Sequence, residues 1–206
     1  MPQARERTRR GPIARLTGRL PEPWNNVADW AVTIVIAVAV VLFVKAYVVN
    51  PYKIPSPSME PTYHCSGMPG CLGGTNDRVL ANRFIYHFRS PHRGDVIVFN
   101  APKQAVLDCG QGGTYVKRLV GLPGETISAR DGHVYINGQR LNEPYLAPGR
   151  GFTSPFVRHL GQGQYFMMGD NRPLSCDSRR WGPITRSEMV GPVFFVYWPL
   201  SRIGFR

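Results

Sequence analysis

"ETISARDGHVYINGQRL", residues 125–141, decides the fold class. Asn137-Gly138 follows the run His133–Ile136, in which Val134, Tyr135 and Ile136 are β-branched or aromatic. A two-residue Asn-Gly connection suits a hairpin turn that needs φ > 0 at both positions. The stretch therefore reads as two strands joined tightly, which pair antiparallel.

Working outward, the same kind of segment recurs. Residues 77–86, 94–100, 113–121, 164–170 and 190–199 are rich in Val, Ile, Tyr and Phe and are bounded by turn residues. Pro123-Gly124 suits a type II turn between two of them. Short strands with a few long loops predict a mostly β domain with an antiparallel sheet. The sequence shows no internal repeat.

The N-terminal part differs. Six arginines against two glutamates in residues 1–24 account for +4 of the chain's net charge of +12. Residues 1–26 have little apolar periodicity and are expected to be a disordered basic tail on the cytoplasmic side. "VADWAVTIVIAVAVVLFVKAYVV", residues 27–49, follows and predicts one transmembrane helix. At 1.5 Å per residue it spans about 34 Å, enough for a hydrocarbon core if Asp29 and Lys45 reach the interfaces. Pro51 ends it. The rival is a cleaved signal peptide, since Val44-Lys45-Ala46 offers small or permitted residues. Against it, the basic region is long and apolar residues continue past Ala46. The remaining domain, 50–206, is placed outside the cytoplasm. The arginine tail beside an apolar run marks a membrane rather than nucleic acid, for which no binding signature appears.

Cys65, Cys71, Cys109 and Cys176 include no C-x-x-C pair, which argues against a structural zinc site. Four cysteines allow three pairings. If the domain lies outside the cytoplasm, Cys65–Cys71 closes a short loop and Cys109–Cys176 remains. Four free thiols is the alternative. No metal and no cofactor is implied.

"IPSPSMEPT", residues 54–62, holds three prolines and two serines just past the apolar run. A serine hydroxyl needs a base. The five histidines share no motif with it, and no G-x-S-x-G elbow exists. A lysine can serve only when neutral. Its ordinary pKa is ~10.4, and lowering it by ~3 units costs roughly 4 kcal/mol, which apolar burial can supply. Of the four lysines, Lys45 and Lys53 flank the expected span and Lys103 lies in a polar loop. Strand alternation places Lys117 on one face with Tyr115 and Leu119, and Val116, Arg118 and Val120 on the other.

"PSPSMEPT" (55–62), "RGDVIVF" (93–99), "YVKRLVGLPGE" (115–125) and "GDNRPLSCDSR" (169–179) resemble, in this order, the motif boxes of type I signal peptidases. The resemblance covers most of residues 47–201. It implies a membrane-anchored serine endopeptidase that removes signal peptides from exported preproteins after Ala-x-Ala-like sites. Its partners would be those preproteins, the lipid bilayer and the export machinery. By the same resemblance Ser58 is the nucleophile and Lys117 the general base. Ser56 helps hold the oxyanion, Ser175 orients the lysine amine, and Asp177 and Arg179 form a supporting ion pair. Pro173-Leu174 and Cys176 depart from the family's last box. The prolines are expected to hold 54–62 extended, so that Ser56 and Ser58 point the same way. A non-catalytic membrane-anchored β-domain binding exported peptides is the rival from another class.

Overall fold

The Asn137-Gly138 hairpin forms because both residues adopt the left-handed region, at φ 48° and 82°. Around it the computed structural model describes residues 24–43, 45, 48–110 and 112–206. Two units separate at residues 47 and 48.

In the first unit the described residues form one helix, α1 (Trp24–Phe43). The basic tail expected over 1–26 lies outside the described residues up to residue 23, and 24–26 belong to α1. The expected span ran to residue 49, but Val49 is already in a strand, because it pairs with Asn82. Among the described residues, no helix is long and apolar enough to cross a membrane. The described side chains of α1 run from 27 to 43. They include Ile34, Val35, Ile36, Val40, Val41, Leu42 and Phe43, all exposed.

The second unit is mostly β. Its elements are β1 (Val49–Lys53), β2 (Arg78–Asn82), β3 (Val96–Asn100), α2 (Lys103–Cys109), β4 (Thr114–Gly121), β5 (Thr126–Arg130), β6 (His133–Ile136), β7 (Gln139–Arg140), β8 (Phe156–His159), β9 (Gln164–Met168), α3 (Ser178–Trp181), β10 (Ile184–Thr185), β11 (Met189–Trp198) and β12 (Gly204–Phe205). The larger sheet runs β1-β2-β11-β3-β4-β9-β10, with β12 on β11. The smaller runs β7-β6-β5-β8. Every pairing given for these strands is antiparallel.

β11 joins the halves of the large sheet. It pairs β3 through residues 189–192, then β2 through 193–198, with register shifts. Gly191 marks the crossing: a Cβ there would lie 2.1 Å from the Asn82 carbonyl oxygen, so only glycine lets the strands pass. The face of this sheet beneath "IPSPSMEPT" buries Ile54, Met59, Tyr63, Val79, Ala81, Val98 and Val196. The smaller sheet is fixed to β4 and β9 by Val120, Ile127, Val134, Leu160, Phe166 and Met168, with Phe156 stacked on Phe166 at 5.5 Å. Arg93 steadies the junction by bonding the Val120 carbonyl and pairing with Glu125.

Candidate active site

Ser58 is carried on a single 3₁₀ turn, Pro57–Met59, rather than on the extended segment expected. Proline fits both readings, because φ near −65° suits the first position of a 3₁₀ turn as well as an extended chain. Ser56 precedes the turn in an extended conformation, at φ −121° and ψ 153°. The turn is pinned from four sides. Glu60 N donates to the Pro57 carbonyl at 3.1 Å and Tyr63 N to the Met59 carbonyl at 3.0 Å. Asn171 grips it with both its backbone N–H, to the Ser58 carbonyl at 3.0 Å, and its side-chain amide, to the Pro57 carbonyl at 3.0 Å. Met59 is fully buried, a contribution of about 1.5–3 kcal/mol that holds the neighbouring serine in place.

The flanking residues are held from behind. The Glu60 carboxylate is fully buried and accepts from Cys65 N and Leu72 N, each at 2.9 Å, with His64 Nδ1 at 2.5 Å. Arg202, in the closing "WPLSRIGF" stretch, pairs with buried Asp77 at 3.0 Å and donates to the Thr62 carbonyl at 3.1 Å. Sequence reasoning assigned neither residue a role. Glu60 lies in a quoted box, but nothing in the spacing says which backbone N–H groups it serves.

Lys117 reaches this turn from β4. Its Nζ lies 2.5 Å from Ser58 Oγ, and Ser56 Oγ lies 3.1 Å from the same atom. Both Ser58 and Lys117 are 5% exposed. Burial pushes the lysine down to about 8. Asp177 opposes that shift, Arg179 adds to it and Asp170 opposes it. The Tyr115 ring lies 5.8 Å from Nζ. The three residues line a cleft of about 530 Å³ with Tyr52, Ile54 and Leu174. A larger cavity, about 830 Å³, lies among Asp131, His133, Arg140 and Glu143 and contains none of the candidate residues.

The 169–179 segment closes the site. Gly169 is required: a Cβ there would meet Ser175 Oγ at 2.3 Å and the Ser58 carbonyl oxygen at 2.5 Å. Ser175 was expected to bond the lysine amine. Its hydroxyl donates to Asp177 Oδ2 at 2.7 Å, a fully buried carboxylate. Asp177 also accepts from Gly169 N at 3.0 Å, caps α3 through Arg179 N at 3.2 Å and pairs with the Arg179 guanidinium at 2.7 Å. Arg179 in turn donates to the Arg172 carbonyl at 2.7 Å. On the opposite face of β4, Arg118 holds Asp170 with two bonds, at 2.8 and 2.6 Å, and Thr62 donates to the same carboxylate at 2.5 Å. Sequence reasoning missed this network; its only trace is that Arg118 and Asp170 sit beside Lys117 and inside the last box.

Cys65 is bonded to Cys71, and Cys109 to Cys176. Glu60, Cys65 and Cys71 come within ligand distance of one another, but the two sulfurs are joined and offer no thiolate to a metal.

A serine hydroxyl within hydrogen-bond reach of a buried amine, with a second hydroxyl beside it, is a nucleophile-and-base constellation of the Ser/Lys class. The chain matches the family described as "Signal peptidase, peptidase S26" over residues 27–198. A "Probable signal peptidase I-2" from Synechocystis sp. is 34% identical over 194 residues, covering 93% of this chain and 84% of that protein. "Signal peptidase I S" from Bacillus subtilis is 33% identical over 190 residues, covering 87% of this chain and 93% of that protein. A crystal structure of a signal peptidase I from Enterococcus faecalis is 34% identical, with a TM-score of 0.42, covering 50% of this chain and 97% of that one. The chain belongs to the signal peptidase S26 family.

Proposed function

We propose that this chain is a signal peptidase that removes N-terminal signal peptides from exported preproteins, with Ser58 as nucleophile and Lys117 as general base. The single observation that carries the assignment of roles is the 2.5 Å approach of Nζ to Oγ by an amine that burial pushes down to about 8. A non-catalytic β-domain has no use for a buried amine aimed at a hydroxyl.

The chemistry follows from that contact. Ser58 Oγ attacks the scissile carbonyl carbon while its proton passes to Lys117 Nζ. The tetrahedral oxyanion takes hydrogen bonds from the Ser56 hydroxyl and the Ser58 backbone N–H. Collapse breaks the C–N bond, and the Lys117 ammonium gives its proton to the departing amine. The signal peptide is then an ester on Ser58. Water, losing a proton to the neutral amine, hydrolyses it and frees Ser58. Ser175, Asp177 and Arg179 act at one remove, by setting the walls and charges around the amine.

The substrate lies extended along β4. β9 pairs with β4 only from Arg118 onward, and residues 114–117 line the cleft opposite residues 52–58. A peptide here adds a strand, and shallow apolar pockets take the small side chains of an Ala-x-Ala site. α1, with its neighbouring residues, anchors the chain in the bilayer, since a helix apolar on all sides needs a lipid or protein environment. The N-terminus then lies in the cytoplasm and the β domain outside. The same export route makes the export machinery a partner.

The test uses the full chain in detergent and a synthetic Ala-x-Ala signal peptide. Wild type cleaves it at one bond. Ser58→Ala and Lys117→Arg do not, the second because a guanidinium stays protonated. Near-normal turnover by either variant would defeat its assignment.

A further inference from the structure

We propose that the Cys109–Cys176 disulfide is a positioning element for the Ser58–Lys117 site: it ties one wall of the cleft to the segment that closes over the amine. The proposal rests on the Ser/Lys reading above. It is carried by where the two cysteines sit.

Cys176 stands between Ser175 and Asp177, whose side chains bond each other at 2.7 Å. Cys109 ends α2, in the excursion between β3 and β4 that is closed at its base by Ala101 N donating to the Gly113 carbonyl at 2.8 Å. Ala105 is the buried residue of α2, while Val106 and Leu107 are exposed. Ala105 enters the cluster of Phe99 and Trp181, and the bridge adds a covalent tether to the closing segment. Both cysteines line the same cleft as Ser58 and Lys117. The other disulfide differs. Its loop also contributes Met68 and Pro69 to the cleft, but Glu60 holds that loop independently through Cys65 N and Leu72 N.

Opening the bridge takes a thiol or phosphine reductant. Two electrons and two protons convert it into two thiols as the reductant is oxidised. α2 then moves away from residues 175–177 and water enters. The amine is faced by Tyr115 on its own strand and by Ser58 on the nucleophile turn, and it feels the charges of Asp177 and Arg179 on the closing segment and of Asp170 across β4. Of these influences burial is the largest. Wetting the cleft therefore lowers the neutral share of Lys117 in the neutral range. The base is weakened without loss of the fold, and it is regained on reoxidation, so the site reaches full activity in an oxidising compartment.

The experiment uses the full-length Cys65→Ala/Cys71→Ala variant in detergent, which keeps only the bridge in question. The kcat/KM for a fluorogenic Ala-x-Ala peptide is followed from pH 6 to 10 when oxidised, after phosphine reduction and after reoxidation. The expected result is an acid limb displaced upward by about one pH unit on reduction, a roughly tenfold loss at neutral pH that vanishes at high pH and reverses on reoxidation. Full-length Cys109→Ala/Cys176→Ala shows the same displaced limb. An unchanged limb in the reduced protein overturns the proposal. So does a loss uniform across pH, which marks a merely structural bridge or unfolding. Failure of the dyad reading looks different: cleavage that survives Ser58→Ala.

Discussion

Lys117 and Arg118 are neighbours on one strand, both buried, and the molecule treats them in opposite ways. Arg118 faces Asp170, which accepts two of its hydrogen bonds, and Thr62 completes the cluster. Burial there works against the charge, but the carboxylate outweighs it and the guanidinium is held above its ordinary range. Lys117, one residue earlier and on the other face, has a serine hydroxyl where Arg118 has a carboxylate. Burial then wins, and the amine is pushed down to about 8. Depth alone does not set protonation; the partner does. The alternation of a β-strand lets one segment carry a structural cation and an amine that gives up its proton more easily side by side.

The largest test of this contrast exchanges the character of the faces. Lys117→Arg puts a permanent cation on the dry face, and kcat/KM for the synthetic signal peptide is expected to fall at least about 10³-fold with the circular dichroism spectrum unchanged. On the other face, Asp170→Asn leaves the Arg118 charge buried without its partner. Denaturant unfolding should show a loss of about 3–5 kcal/mol, and a loss under 1 kcal/mol would mean that the pair is not what holds this face. Ser56→Ala leaves both faces intact and removes the proposed oxyanion donor. A fall of about 10²-fold in kcat, about 3 kcal/mol, is expected with KM little changed.

The smallest effect is on stability. Lys117 binds fewer protons in the fold than in the unfolded chain between pH of about 8 and the ordinary lysine value. Stability due to this residue therefore rises with pH through that window, by at most ~1.4 kcal/mol per unit, and is lost as pH falls towards 8. Lys117→Met removes the slope, which paired unfolding curves at pH 8 and 10 would detect.

The two faces also differ in how far sequence exposed them. Tyr115, Lys117 and Leu119 share a face by simple alternation, so an apolar setting for the lysine was readable. The mostly β, antiparallel character was readable too, because Asn137-Gly138 dictates its own turn and the Val- and Ile-rich runs are bounded by turn residues. Arg118 read only as a residue on the far side. Its partners Thr62 and Asp170 lie 56 and 52 positions away, and no local propensity encodes a contact at that range. The 3₁₀ turn under Ser58 escaped because proline's φ suits both conformations. Ser175 was assigned to the amine, and its bond to Asp177 two residues on was not foreseen. β8 at 156–159 was not anticipated; only its pairing with β5 makes so short and exposed a segment a strand.

The most direct measurement is the titration of the Lys117 amine itself. The chain has four lysines, so ¹⁵N-lysine labelling in detergent gives four signals, and the one missing from Lys117→Arg is assigned. That signal should titrate near pH 8 in the wild type, well below the ordinary lysine value of ~10.4. If it titrates at that ordinary value instead, only a few in ten thousand amines are neutral at pH 7 rather than about a tenth, and Lys117 cannot be the base that activates Ser58.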